Sequence, residues 1–150
     1  LIKGDRYRSR LISKIMFGTY NKHIKNVRTV NDWLTRDEAV VDEYNAGKLT
    51  TFLFTVNGYR GLMNMILYVR KPRNIERIPK NLPMLMISGL DDPVGEYGKG
   101  VYRAYDSYHG HIDDIDLRLY ENCRHELCNE LNKEEIYEEI YGWIMNHMSK

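Results

Sequence analysis

The run PMLMISGLDDPVG, residues 83–95, decides how the chain folds. Its first part, PMLMISG, is a short, unbroken apolar run bounded by Pro83 and Gly89. A run of that length between breakers reads as a β-strand buried on both faces, the setting of a parallel sheet. Its second part delivers Asp91 and Asp92 just past the strand's carboxyl end. Pro93 pushes Asp92 into extended backbone and so shapes the turn.

Downstream, YGKGVYRAYDSYHG reads as a helix. IDLRLY then alternates, with Ile115, Leu117 and Leu119 to one side and Asp116, Arg118 and Tyr120 to the other. That is a strand with one wetter face, placed at a sheet edge. NKEEIYEEIYGWIMNHM is the clearest helix of the chain. Asn132 is its expected cap and Glu135 closes a capping box. Ile136, Ile140, Trp143, Ile144 and His147 form one stripe. Strand, helix, strand, helix in this order implies a right-handed parallel crossover.

Upstream the pattern is helical. Leu11, Ile12, Ile15 and Met16 recur at helical spacing before Gly18. In TRDEAVVDEYNAG, Thr35 is the expected cap, Glu38 follows three residues on, and Gly47 lies just past the end. TVNGYRGLMNMILYVRK is a third helix, apolar at Leu62, Met63, Ile66 and Leu67, and Pro72 is expected to end it. The chain thus divides at about its middle, into a helical segment over residues 1–78 and an α/β segment over residues 79–150.

In open parallel sheets, functional groups gather at the carboxyl ends of the strands. The first strand offers Asp91 and Asp92 there; the second, through ENCRHE, offers His125. Neighbouring strands in a crossover bring these loops together. A carboxylate beside an imidazole holds one tautomer and stabilises the imidazolium, so the imidazole can serve as a general base toward a nucleophile.

The wording of the sequence adds to this. The chain resembles the C-terminal part of α/β-hydrolases of the serine aminopeptidase-like group, known as lysophospholipases or monoacylglycerol lipases. PMLMISGLDDPVG is similar to the segment that carries the acid of their triad, Gly-x-x-Asp followed by Pro-Val-Gly. LYENCRHELCNE is similar to the segment that carries the histidine, Arg-His-Glu followed by Asn-Glu. The resemblance implies Asp92, not Asp91, as the acid and His125 as the base. FGTYNK, RTVNDWLTRDEAVVDEY and FTVNGY resemble the helical cap inserted before the last two strands; NAGKLTTF departs from that pattern. The fold implied is the C-terminal portion of an α/β-hydrolase, a helical cap over residues 1–78 and the acid- and histidine-bearing part over 79–150. The activity implied is that of a serine carboxylic ester hydrolase acting on a lipid-like or small ester substrate, with no cofactor and no metal.

The family needs Gly-x-Ser-x-Gly ahead of the acid. Ser9, Ser13, Ser88, Ser107 and Ser149 stand in no such setting. The nucleophile is therefore expected upstream of Leu1, and this chain alone is expected to be inactive. The start at Leu1, without methionine, reads as a fragment or processed product. The first strand would have one edge bare, so a missing N-terminal half or a second copy of the chain is the expected partner.

Other readings set bounds. Cys123, His125 and Cys128 with His109 and His111 supply zinc-type ligands, but at no usual zinc spacing; small buried cysteines and a solvated turn at Gly110 are the simpler expectation. Arg124 and Glu126 are expected to pair and orient the histidine loop. Phe17, Tyr20, Trp33, Phe52, Phe54, Tyr59, Met63 and Met65 are either core or the lining of an acyl pocket. A formal charge of +1 argues for no nucleic-acid partner; the basic first 28 residues read as a solvated face before a surface for anionic lipid. No apolar run reaches the roughly 18 residues of a transmembrane helix, and no secretory signal opens the chain, so a cytoplasmic location is expected. The main non-enzyme alternative is a helical binding or regulatory module.

Overall fold

The computed structural model describes residues 3–148. The outermost residues of both expected segments, 1–2 and 149–150, and with them Ser149, lie outside these. Helices α1 (Arg10–Phe17), α2 (Glu38–Ala46), α3 (Val56–Val69) and α4 (Pro72–Ile75) come first. Strand β1 (Met84–Gly89), helix α5 (Lys99–His109), strand β2 (Ile115–Tyr120) and helix α6 (Lys133–Met148) follow. β1 and β2 pair in parallel, Met84 opposite Ile115 through Gly89 opposite Tyr120.

The helix ends show which local signals won. Ser9 caps α1 by accepting from Ile12 N at 3.2 Å, and Thr55 caps α3 by accepting from Gly58 N at 3.1 Å. The cap of α2 is Asp37, not Thr35: its carboxylate accepts from Ala39 N and Val40 N. Thr35 is buried and donates instead to the Asn129 carbonyl at 2.8 Å. Asn132 likewise turns from its expected capping role, its amide oxygen accepting from Arg36 Nη2 at 2.6 Å and facing the Cys123 thiol at 3.4 Å. α3 stops at Val69, and Pro72 opens α4 at its first turn, where its missing N–H costs nothing. Leu67 and Ile144 are exposed rather than core-facing.

Two faces differ from expectation. Met84 to Ile87 of β1 are only half-buried, because β1 has a strand neighbour on one side alone among the described residues. The polar face of β2 is clothed by α6: Trp143 Nε1 donates to Asp116 at 2.6 Å, and the Tyr120 hydroxyl donates to Glu139 at 2.9 Å. Cys123, Leu127 and Ile136 form the core beneath that helix, with Ile87, Tyr120 and Ile140 packed on it. The histidine loop is thus built directly on the best-packed part of the chain.

Candidate active site

The acid turn and the histidine loop meet because Gly89 lets them. A Cβ there would sit 2.0 Å from the Cys123 carbonyl oxygen and 2.3 Å from that of Arg124. Both are backbone atoms that a side chain cannot displace cheaply. With glycine in place, Leu90 N bonds the Tyr120 carbonyl and Asp91 N bonds the Cys123 carbonyl, each at 2.9 Å, carrying the parallel ladder past the ends of both strands.

Asp92 is buried. One oxygen accepts from Val94 N at 2.8 Å; the other lies 3.1 Å from His125 Nδ1. An ionised carboxylate only accepts, so it selects the tautomer with the proton on Nδ1. Nε2 is then the free basic nitrogen, and the ring is 37% exposed. The hydrogen bond to Asp92 raises the His125 pKa above its usual 6.5; burial opposes this, and the charges of Asp92 and Glu126 reinforce it. Asp91 is exposed and points its backbone, not its carboxylate, at the histidine loop. Past Pro93 the turn runs through Glu96 and Tyr97 at positive φ before Gly98 opens α5. Two successive non-glycine residues held there are a local strain beside the acid.

The helical segment reaches the same place. Trp33 lies against the His125 ring, centroids 5.1 Å apart, and Tyr20 packs edge-on to Trp33 at 4.9 Å. Burial and the negative charge of Asp92 together raise the pKa of Tyr20, and that of Tyr97 as well. Both phenols therefore stay protonated around the dyad. Segment 32–36 is also fastened to the histidine loop by its backbone. His125 N and Glu126 N donate to the carbonyls of Trp33 and Leu34 at 3.4 and 2.7 Å. Arg124 Nη1 donates to those of Asp32 and Thr35 at 2.6 and 2.9 Å.

Arg124 therefore spends its guanidinium on carbonyls, not on the expected pair with Glu126, whose carboxylate accepts from Asn129. The ion pair here belongs to Glu130, fully buried, and Arg36, with Nε 2.8 Å from Oε2. Glu130 also accepts from Arg124 N at 2.7 Å. Arg36 and Tyr97 escaped the sequence reading, and Trp33 entered it only as core or acyl-pocket lining. Arg36 and Trp33 stand in a polar-aromatic stretch ahead of α2 and Tyr97 in the turn ahead of α5, and neither stretch says what it touches.

The remaining candidates scatter. Cys123 is buried and Cys128 exposed, which corrects the expectation of two buried cysteines. Burial, with the Glu130 charge beside it, pushes the Cys123 thiol up, away from the thiolate a metal prefers. His111 is no solvated turn residue, since its Nε2 lies 2.7 Å from the Ile78 carbonyl; His109 packs against Tyr105. No group of three His, Cys, Asp or Glu side chains lies together among the described residues. Phe17, Trp33, Phe52, Phe54 and Tyr59 line a cleft of about 770 Å³ in the helical segment. Tyr20 packs behind it on Trp33 and Phe17, and Met63 and Met65 lie outside it.

A parallel strand pair with an acid after the first strand and a histidine after the second, under a helical segment, is the C-terminal portion of an α/β-hydrolase. Solved structures share this fold. The chain superposes on a carboxyl esterase of Bacillus coagulans with a TM-score of 0.81 at 22% identity, over 97% of this chain and 46% of that one. A lipase in its open form gives 0.86 at 18% identity, over 99% and 49%. The monoglyceride lipase of Saccharomyces cerevisiae gives 0.61 at 18%, over 91% and 47%. A family model described as serine aminopeptidase, S33, matches residues 2–132, and the chain belongs to that family of hydrolases. An uncharacterized abhydrolase domain-containing protein of Dictyostelium discoideum is 31% identical over 112 residues, 74% of this chain and 11% of that protein. The chain spans about half the length of the solved structures it matches and about a tenth of the Dictyostelium relative. Among the described residues, no helix is long and apolar enough to cross a membrane.

Proposed function

We propose that residues 79–150 carry the acid and base, and residues 1–78 the cap, of a serine carboxylic ester hydrolase whose nucleophile lies outside this chain. The substrates are monoacylglycerols, lysophospholipids or other small carboxylic esters. Asp92 is the acid and His125 the base. The observation that carries this reading is the 3.1 Å contact between His125 Nδ1 and Asp92, which leaves Nε2 free. His125 Nε2 takes the proton of the attacking serine and returns it to the leaving alcohol. Water then hydrolyses the acyl-enzyme through the same base. Asp92 holds the tautomer and stabilises the imidazolium. The bare side of β1 is where the rest of the fold, or failing it a second copy of the chain, completes the sheet.

The test is kinetic, on the full-length protein with a p-nitrophenyl ester. Asp92→Asn is expected to lower kcat by orders of magnitude, since about 10⁴-fold is typical when the tautomer is lost. Asp91→Asn is expected to leave kcat within a few-fold. Equal losses would assign the role to the wrong carboxylate. A helical binding module without catalysis predicts no turnover that depends on His125 at all.

A further inference from the structure

Helix α1 sets two cations on the rim of the cleft. Arg10, Ser13, Lys14 and Phe17, spaced as one helix face, line the cleft. Leu11 and Ile15 of the same helix stand 69% and 70% exposed. Ile12, Met16 and Phe17 are half-buried, while the exposed Arg10 and Lys14 stand at the rim of the cleft. The cations are not held there by carboxylates. The cleft has no Asp or Glu in its lining, whose other polar members include Asn31, Asn45, Thr50 and Thr51. Among the described residues neither Arg10 nor Lys14 side chain has an ion pair or a hydrogen-bond partner. The rest of the lining is largely aromatic, through Phe17, Phe52, Phe54 and Tyr59, and it includes Trp33, which also touches His125.

An apolar trough with one cationic rim and no anion matches an amphiphile with a negative charge. We propose that the cleft selects esters that carry an anionic group, a phosphate or a carboxylate. Arg10 and Lys14 hold the anion, the aromatic wall takes the hydrocarbon, and the ester lies toward His125. The inference rests on the hydrolase reading for its ester, but not for its anion.

Binding alone separates the two. Isothermal titration calorimetry of the full-length Asp92→Asn protein is run with octyl phosphate, 1-octanol and inorganic phosphate, at low salt and at 0.5 M salt. Octyl phosphate is expected to bind at least tenfold more tightly than octanol, a preference that shrinks at high salt. In an added Arg10→Gln/Lys14→Gln background it is expected to lose about tenfold, while octanol is unchanged. Equal binding of octyl phosphate and octanol overturns the proposal, as does a preference that survives both substitutions. Inorganic phosphate binding as tightly as octyl phosphate also overturns it, marking a free-anion site. So does binding to phosphatidylglycerol vesicles without binding of monomeric octyl phosphate, which marks a surface and not a cleft. Salt dependence reports the charge contact independently of the variants. If kcat survives Asp92→Asn while the octyl phosphate preference holds, the triad assignment fails and the anion site stands.

Discussion

Replacing Glu130 tests how the helical segment and the histidine loop are held together. Its carboxylate is 0% exposed. Oε2 accepts from Arg36 Nε at 2.8 Å and from Arg36 N and Leu131 N at 3.4 Å each; Oε1 accepts from Arg124 N at 2.7 Å. Glu130→Ala removes all of these acceptors and leaves the Arg36 guanidinium without its counter-charge. Breaking a buried pair by deleting one partner costs about 3–5 kcal/mol. The Arg36 side chain is 28% exposed, so water compensates part of that loss, and about 3 kcal/mol is expected. Glu130→Gln keeps an oxygen for Arg124 N but turns an NH2, which cannot accept, toward the Arg36 and Leu131 donors, for about 2–3 kcal/mol. Arg36→Met combined with Glu130→Gln leaves no buried charge unpaired, so the double variant should cost less than the two singles summed, by at least about 1 kcal/mol. Urea unfolding of the full-length protein, followed by circular dichroism, measures all four corners of the cycle. An additive cycle, or Glu130→Ala costing under about 1 kcal/mol, refutes the reasoning, since either would place the pair in water.

Two further outcomes follow from the same loops. His125 has its pKa raised by Asp92, so the stability of the protonated pair is present below pH about 6.5 and lost as pH rises through the folded-state value. The acidic limb of kcat/KM should therefore lie above 6.5 and move down in Asp92→Asn; an NMR titration placing His125 below 6.5 in the native protein contradicts this. Gly89→Ala drives a Cβ into two carbonyls and should destabilise by about 1–3 kcal/mol or more, read as a lowered Tm; a native-like Tm would mean that the two loops do not approach as closely as described.

Much of the fold was legible because its signals are local. PMLMISG lies between a proline and a glycine, IDLRLY alternates, and both became strands. The misread positions are those where a local signal had a distant competitor. Thr35 and Asp37 both suit a cap; Thr35 lost because the Asn129 carbonyl, far along the chain, claimed its hydroxyl. Asn132 lost its capping box to Arg36 in the same way. For β1, a buried-on-both-faces composition met only half of its covering, so Met84 to Ile87 stayed half-buried. At the site, strand order alone brought the loops of Asp92 and His125 together. Choosing Asp92 over Asp91 needed the Gly-x-x-Asp pattern, and the spacing has a physical basis at its other end, where Gly89 must lack a Cβ.

What no local pattern carried is that His125 is held from two sides. Asp92 positions the ring through Nδ1, while the carbonyls of Trp33 and Leu34 position the backbone on which the ring stands. These two supports come from the two halves of the chain, and the second is reinforced by Arg124 and by the Arg36–Glu130 pair. Segment 32–36 cannot swing away there without moving the imidazole. The cleft's other wall, at Leu49 and Phe52, is exposed and makes no comparable link to the histidine loop.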